Sequence, residues 1–224
     1  MRKLIYIPII HTSADLGSLA EDINKRNIND LGEEFWEKYK KIVDRFWMSV
    51  SRYCDSIDAE GVKIYQDGMV AGGEVAISIS DEVAKSGSKN FEIVSALIKR
   101  GAILEKTEDL KLIKEERDSL VAIIHAKSVS KKIISFLKYK MIKKNLLNKR
   151  DSFIVKRIDE TLKDNETGII FIGAYHNVKK RLPGNIIVTE VKNIEKVKEF
   201  QRILPFYNKN KKRFDELSSY LVSK

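Results

Sequence analysis

His11 and His176 each follow a run of apolar, largely β-branched residues, at 4–10 and 168–173, and Glu105 closes a shorter run at 102–105. Such runs read as buried parallel strands, and ligands of open α/β sheets bind outside the strand C-terminal ends. Two imidazoles and a carboxylate at one sheet edge suit two mechanisms. They could hold a divalent metal that activates water, with His11, Asp15 and His176 as ligands. Alternatively a His or Glu acts directly as general base while Arg150 stabilises oxyanion charge. Spacing alone does not separate the two.

Other strand-end residues have a role beside an ordinary alternative. Asp15 is placed to orient His11 or ligate a metal, and equally to cap a helix. Tyr65, Gln66 and Asp67 follow a second strand at 62–65 and are candidates to bind substrate, although Asp67-Gly68 is also common turn chemistry. Thr107, Glu108 and Asp109 fit a helix start. His125 falls in or at the end of a helix, where a structural role is the simpler one.

Between the strands, apolar positions recur every three or four residues. Leu31, Phe35, Tyr39, Ile42, Phe46, Val50, Tyr53 and Ile57 define a long amphipathic helix. Val75, Ile79 and Val83 predict the inward face of another, and Ser88 caps a third that stops at Gly101. Asp109 opens a fourth. A very basic helical region spans 128–162, with an interruption near Asn145–Asn148. A strand at 185–191 and a helical remainder, split near Pro205, complete the chain. Alternation of strands and helices predicts a single α/β domain over 1–224: a small, mainly parallel sheet flanked by helices, with a ligand cleft at the strand C-terminal ends. Residues 206–224 form its C-terminal helical extension.

Composition narrows the chemistry. The 224 residues include 43% hydrophobic and 33% charged, which argues against wholesale disorder, and no apolar run approaches the ~20 residues of a bilayer span. The short apolar run after Met1-Arg2-Lys3 is broken by Pro8 and lacks a cleavage site, so the expected location is cytoplasmic. The lone cysteine, Cys54, excludes an internal disulfide and lies on an apolar helix stripe, which argues against a thiol nucleophile. Walker, dinucleotide and Gly-x-Ser-x-Gly motifs are absent.

Gly173-Ala174-Tyr175-His176, preceded by an apolar strand and by Arg150-Asp151 read as the head of a helix, resembles the terminal motif of the superfamily that includes TraB/PrgY pheromone-shutdown proteins, Tiki metalloproteases, ChaN haem-binding proteins and erythromycin esterases. Ile103-Leu104-Glu105 is similar to its internal Glu strand, and Ile9-Ile10-His11 takes the place of its early His. Pro8 stands where the first motif usually has Gly, and Asp151 where the Arg-Asn pair has Asn. The resemblance implies a compact α/β fold with a polar cleft. It assigns His11, Glu105, Arg150 and His176 to catalysis and adds Asp151 to the substrate-binding set. It implies no single reaction, since its members hydrolyse peptides or esters or bind haem.

The leading expectation is a hydrolase-like protein that activates water at a His/Glu/Arg site, with a divalent metal as the candidate cofactor and a small-molecule or peptide ligand, plausibly anionic. The formal charge of +10, from 42 Lys+Arg against 32 Asp+Glu, supports a competing reading. In it the basic helix around Lys131, Lys132, Lys138, Lys140, Lys143, Lys144, Lys149 and Arg157 binds nucleic acid or another anionic partner without catalysis. A third reading has the two histidines ligating haem.

Overall fold

A computed structural model describes residues 1–15 and 20–223. Five parallel strands form one sheet: β1 (Arg2–Ile9), β2 (Lys63–Gln66), β3 (Ile103–Glu105), β4 (Thr167–Gly173) and β5 (Ile186–Glu190), in the spatial order β3-β2-β4-β1-β5. β4 lies at the centre, and Ile169, Ile170, Phe171 and Ile172 are all buried, because a strand with neighbours on both edges and helices on both faces shows no polar side to solvent. Helices α1 (Ala20–Leu31) and α2 (Glu33–Asp55) connect β1 to β2; α3 (Gly73–Lys85) and α4 (Lys89–Lys99) connect β2 to β3. The helices α5 (Leu110–Ile124) and α6 (Val129–Thr161) lead back to β4. After β5 come α7 (Ile194–Ile203) and α8 (Lys211–Val222).

α6 crosses one face of the sheet. Leu4, Gly168 and Lys63 are in register and so are Tyr6, Ile170 and Tyr65. The Tyr65 hydroxyl is 2.8 Å from Thr161 Oγ1, and Arg2 Nη1 donates to the Asp159 carboxylate at 2.7 Å. α2 packs on the other side, where Trp47 Nε1 donates to the Ile10 carbonyl at 3.0 Å. α8 joins α2 through an aromatic cluster, with Phe35 5.2 Å from Phe214 and Phe200 4.9 Å from Phe214 between ring centroids. Phe214, Leu217 and Leu221 are buried in the common core, so the C-terminal helix packs as an integral element. Cys54 is buried on α2, and burial pushes its thiol up to about 12.

Three local expectations are corrected. The helix predicted over 31–57 begins at Glu33, because Leu31 ends α1 and Gly32 separates the two helices. In α3 the buried positions are Ala76 and Ser80; of the expected face Ile79 packs half-buried against the core, while Val75 faces solvent. The reason lies in α4: the Ser80 and Ser95 hydroxyls are 3.2 Å apart, so the two helices approach through small side chains that a periodicity of large apolar residues does not register. The break expected at Asn145–Asn148 is also missing. Leu146 is buried and α6 runs unbroken for 33 residues, with no Gly or Pro to stop it, so Arg150-Asp151 lies inside a helix and not at its head.

Gly168 lies in a tightly packed part of the core beneath the end of α6. A Cβ there would lie 3.0 Å from Tyr65 Cε2, 3.1 Å from Leu4 Cδ1 and 3.3 Å from Leu162 Cδ1. Gly168→Val should therefore destabilise the protein by about 1–3 kcal/mol through overpacking, read as a drop of several degrees in melting temperature.

Candidate active site

At the C-terminal end of the central strands, Arg150 of α6 is surrounded by carboxylates. Its Nε donates to Glu108 Oε1 and Oε2 at 3.1 and 3.2 Å, and its Nη2 donates to Glu108 Oε1 at 2.6 Å. Nη2 also donates to Asp67 Oδ1 at 2.9 Å, and Nη1 to Glu116 Oε2 at 2.6 Å. The Glu108 side chain is completely buried and Arg150 nearly so. A planar guanidinium can satisfy this many acceptors at fixed angles, and an ammonium cannot. The group is thus held as a structural cation.

Asp67 links this knot to β4. The tight turn after β2, closed by Met69 N–H donating to the Gln66 carbonyl, turns Asp67 back toward the sheet, and its Oδ2 accepts the Gly173 N–H at 3.0 Å. Glycine at 173 permits the approach: a Cβ there would sit 3.3 Å from Asp67 Oδ2 and 3.5 Å from His176 Cδ2. The chain then turns, with His176 N–H donating to the Gly173 carbonyl at 3.1 Å. This brings the imidazole over α6, where Nδ1 lies 2.6 Å from Asp151 Oδ1. Asp151 Oδ2 accepts the Asn177 N–H at 3.0 Å, so a fully buried carboxylate fixes both the ring and the loop that carries it. The other ring nitrogen, Nε2, is 3.5 Å from Asp67 Oδ2.

The electrostatics follow from these neighbours. Burial works against a charged imidazole at 176, but Asp67 and Asp151 outweigh it and hold His176 above its ordinary value. For Asp67, burial alone would favour the neutral acid; the His176 and Arg150 charges, with the Gly173 N–H, keep it below the usual carboxylate range. Burial pushes Glu108 up, to about 7, against the pull of Arg150. Beneath the cluster the Tyr6 hydroxyl is buried without a hydrogen-bond partner, and burial together with Asp151 and Asp67 raises its pKa far above that of a free phenol.

The residues singled out in the sequence therefore separate into groups. Arg150, Asp151, His176 and Asp67 converge. His11 lies at the end of β1 but opens toward α2, lining a cavity of about 350 Å³ with Thr12, Trp36 and Tyr39. It shares no cavity or hydrogen bond with His176, and its charge reaches Asp67 only at a distance. Asp15 accepts the Thr12 N–H at 2.6 Å and the Ser88 hydroxyl, which ties the loop after β1 to the start of α4; His11 Nδ1 is 3.8 Å from it. Glu105 is paired with Lys63 at 3.3 Å and Arg157 at 3.6 Å on the sheet edge. Tyr65 is covered by α6, and the Gln66 side chain is buried with Oε1 unpartnered. Among the described residues, no group of three or more His, Cys, Asp or Glu side chains is arranged to hold a metal ion.

Glu108 takes the place beside Arg150 expected of Glu105. Its position just beyond β3 was a usable signal, but the helix-start pattern around Asp109, whose carboxylate does accept the Lys111 N–H at 2.7 Å, offered a sufficient alternative. Glu116 sits on an exposed helix and Tyr6 inside a strand, and neither had a sequence signal pointing to the site. A cleft of about 390 Å³ adjoins His176, bordered by Ala174, Asn177, Lys179, Lys180 and Asn193. None of the lysines of α6 lines it. No family model, curated protein or solved structure matches this chain.

Removing the central cation would leave three carboxylates around an empty place, so Arg150→Met should cost about 3–5 kcal/mol of stability by denaturant unfolding. The pH dependence has a definite sign. The folded-state values of His176 and Glu108 are both raised, so their contributions are complete below their unfolded values and fade as pH rises through the folded ones. Melting temperature should fall from about pH 5 to about pH 8, and Glu108→Gln should flatten the part of that fall below about pH 7.

Proposed function

We propose that the protein is a hydrolase-like enzyme in which His176, oriented by Asp151, takes a proton from water delivered through the adjoining cleft. The observation that carries this reading is the 2.6 Å contact between His176 Nδ1 and Asp151, which fixes the tautomer and leaves Nε2 to exchange protons beside Asp67. A buried carboxylate behind Nδ1 also stabilises the imidazolium formed when the proton arrives. Proton transfer through Nε2 needs no metal ligand set and no nucleophilic serine or cysteine.

Arg150 has a positioning role in this scheme. Its donors are occupied by Glu108, Glu116 and Asp67, so it orients Asp67 and does not receive substrate charge. An anionic substrate group would instead meet Lys179, Lys180 and Lys198 around the cleft. Glu190, 2.5 Å from Lys179, and Glu195 limit that attraction to part of the rim. The resemblance of the Gly173–His176 segment to the TraB, Tiki and erythromycin-esterase superfamily agrees with a hydrolytic role for His176. It does not select the bond that is broken.

The test is hydrolysis of a chromogenic panel of carboxyl esters, phosphoesters and peptides by the full chain. His176→Gln should lower kcat by at least about 100-fold, the scale of a lost general base. The rate should rise with pH through a midpoint above the ordinary histidine value of about 6.5, since the base form is the neutral one. Asp151→Asn removes an anion that raises His176, so its residual activity should show that midpoint at lower pH. No turnover across the panel, or a wild-type rate in His176→Gln, would overturn the reading.

A further inference from the structure

The most unusual surface of the molecule is the hairpin of α5 and the first half of α6. α5 buries none of its residues, and α6 buries none before Leu146. From Leu146 back to Val129 is about 25 Å of helix at 1.5 Å per residue. The hairpin therefore stands off the sheet as an arm, joined at its base through Glu116 and Arg150.

The arm is apolar where a solvated arm would be polar. Val129 is 76% exposed, Met141 81%, and Ile133, Phe136 and Leu137 each 53%. Their helical spacing places these five on one arc of α6, away from Tyr139, whose hydroxyl turns to Glu116 of α5 at 3.3 Å. Lys131 and Lys138 border the arc on one side and Lys132 and Lys143 on the other, while Lys140 and Lys144 stand within its C-terminal part, beside Met141. Between Ser119 and Lys149 there are eight lysines and no Asp or Glu.

We infer that this arm docks the protein on an anionic membrane surface. The apolar arc from Val129 to Leu137, with lysines along both borders and Lys140 and Lys144 beyond it, matches the two layers of a lipid interface: the arc enters the headgroup–acyl boundary while the long lysine stems carry their charges to the phosphates. A second copy of the chain fits less well, because pairing two α6 arcs face to face sets their lysines against one another, while the carboxylates of the arm, Glu115, Glu116 and Asp118, all belong to α5. Nucleic acid would satisfy the lysines and leave Val129, Ile133, Phe136 and Leu137 in water. Among the described residues no helix is long and apolar enough to cross a membrane, so the arm lies on the surface and does not span it. The inference is independent of the role of His176.

Co-sedimentation of the full chain with vesicles tests it. Binding to phosphatidylcholine mixed with phosphatidylglycerol should exceed binding to phosphatidylcholine alone by about tenfold or more and weaken with added salt. The double variant Ile133→Asp and Leu137→Asp should lose about tenfold or more of that binding while its melting temperature is unchanged, because both side chains are already exposed. Failure to bind the mixed vesicles overturns the proposal. Binding that the double variant retains in full overturns it too, since the attraction would then be charge alone. A hairpin-dependent dimer in sedimentation velocity without vesicle binding would assign the arc to a second copy, and binding only to DNA or RNA would assign the lysines to nucleic acid.

Discussion

Burying one guanidinium among three carboxylates organises the C-terminal edge of this sheet. Arg150 comes from α6, Asp67 from the turn after β2, Glu108 from the loop after β3 and Glu116 from α5. The cation offsets part of their negative charge, Glu108 being drawn toward its neutral form by burial and His176 toward its charged one, and each carboxyl group fixes a different segment. Asp67 then extends the network to the backbone of β4 at Gly173, and the next residue of α6, Asp151, holds the loop that carries His176. A single pair of adjacent residues on one helix thus sets both the ionic knot and the orientation of the imidazole. At the base of the site Glu108 and Asp151 are fully buried, and His176 borders the adjoining cleft.

The overall α/β architecture was legible because long buried strands and amphipathic helices repeat on different periods. The run at 168–173 reads as a strand without ambiguity, and its burial on both faces fits the central place it takes between β1 and β2. Faces were harder to read where small residues do the packing. Ala76 and Ser80 carry no hydrophobic signal comparable with Val75, yet they are the ones that meet α4.

The same distinction holds for the site. His176, Arg150, Asp151 and Asp67 could be found because each lies near a strand end or a recognisable motif. Their partners Glu108 and Glu116 could not, since an acid near a helix start or on a solvated helix is the commonest thing in a soluble protein. His11 shows the converse: a strand-end position fixes the edge of the sheet but not the face, and the loop after β1 turns toward α2 while the loop after β4 turns toward α6. Periodicity also gave the basic helix its length without its environment. Apolar positions at helical spacing ordinarily mean a buried stripe, and here the stripe over Val129–Met141 is exposed because α5 covers only the opposite side.

The placement of β4 also orders events during synthesis. β2 and β3 can pair with each other as soon as both are made, but β1 has no partner on its inner edge until β4 fills the gap beside it. No strand pairing therefore joins the two halves of the sheet before Thr167 to Gly173 has left the ribosome, and by then the whole of α6 has already emerged. α6, complete at Thr161, precedes by only a short stretch the strand it packs on, so the halves of the sheet close around it late in synthesis, once the distant pairing of β1 with β4 becomes possible.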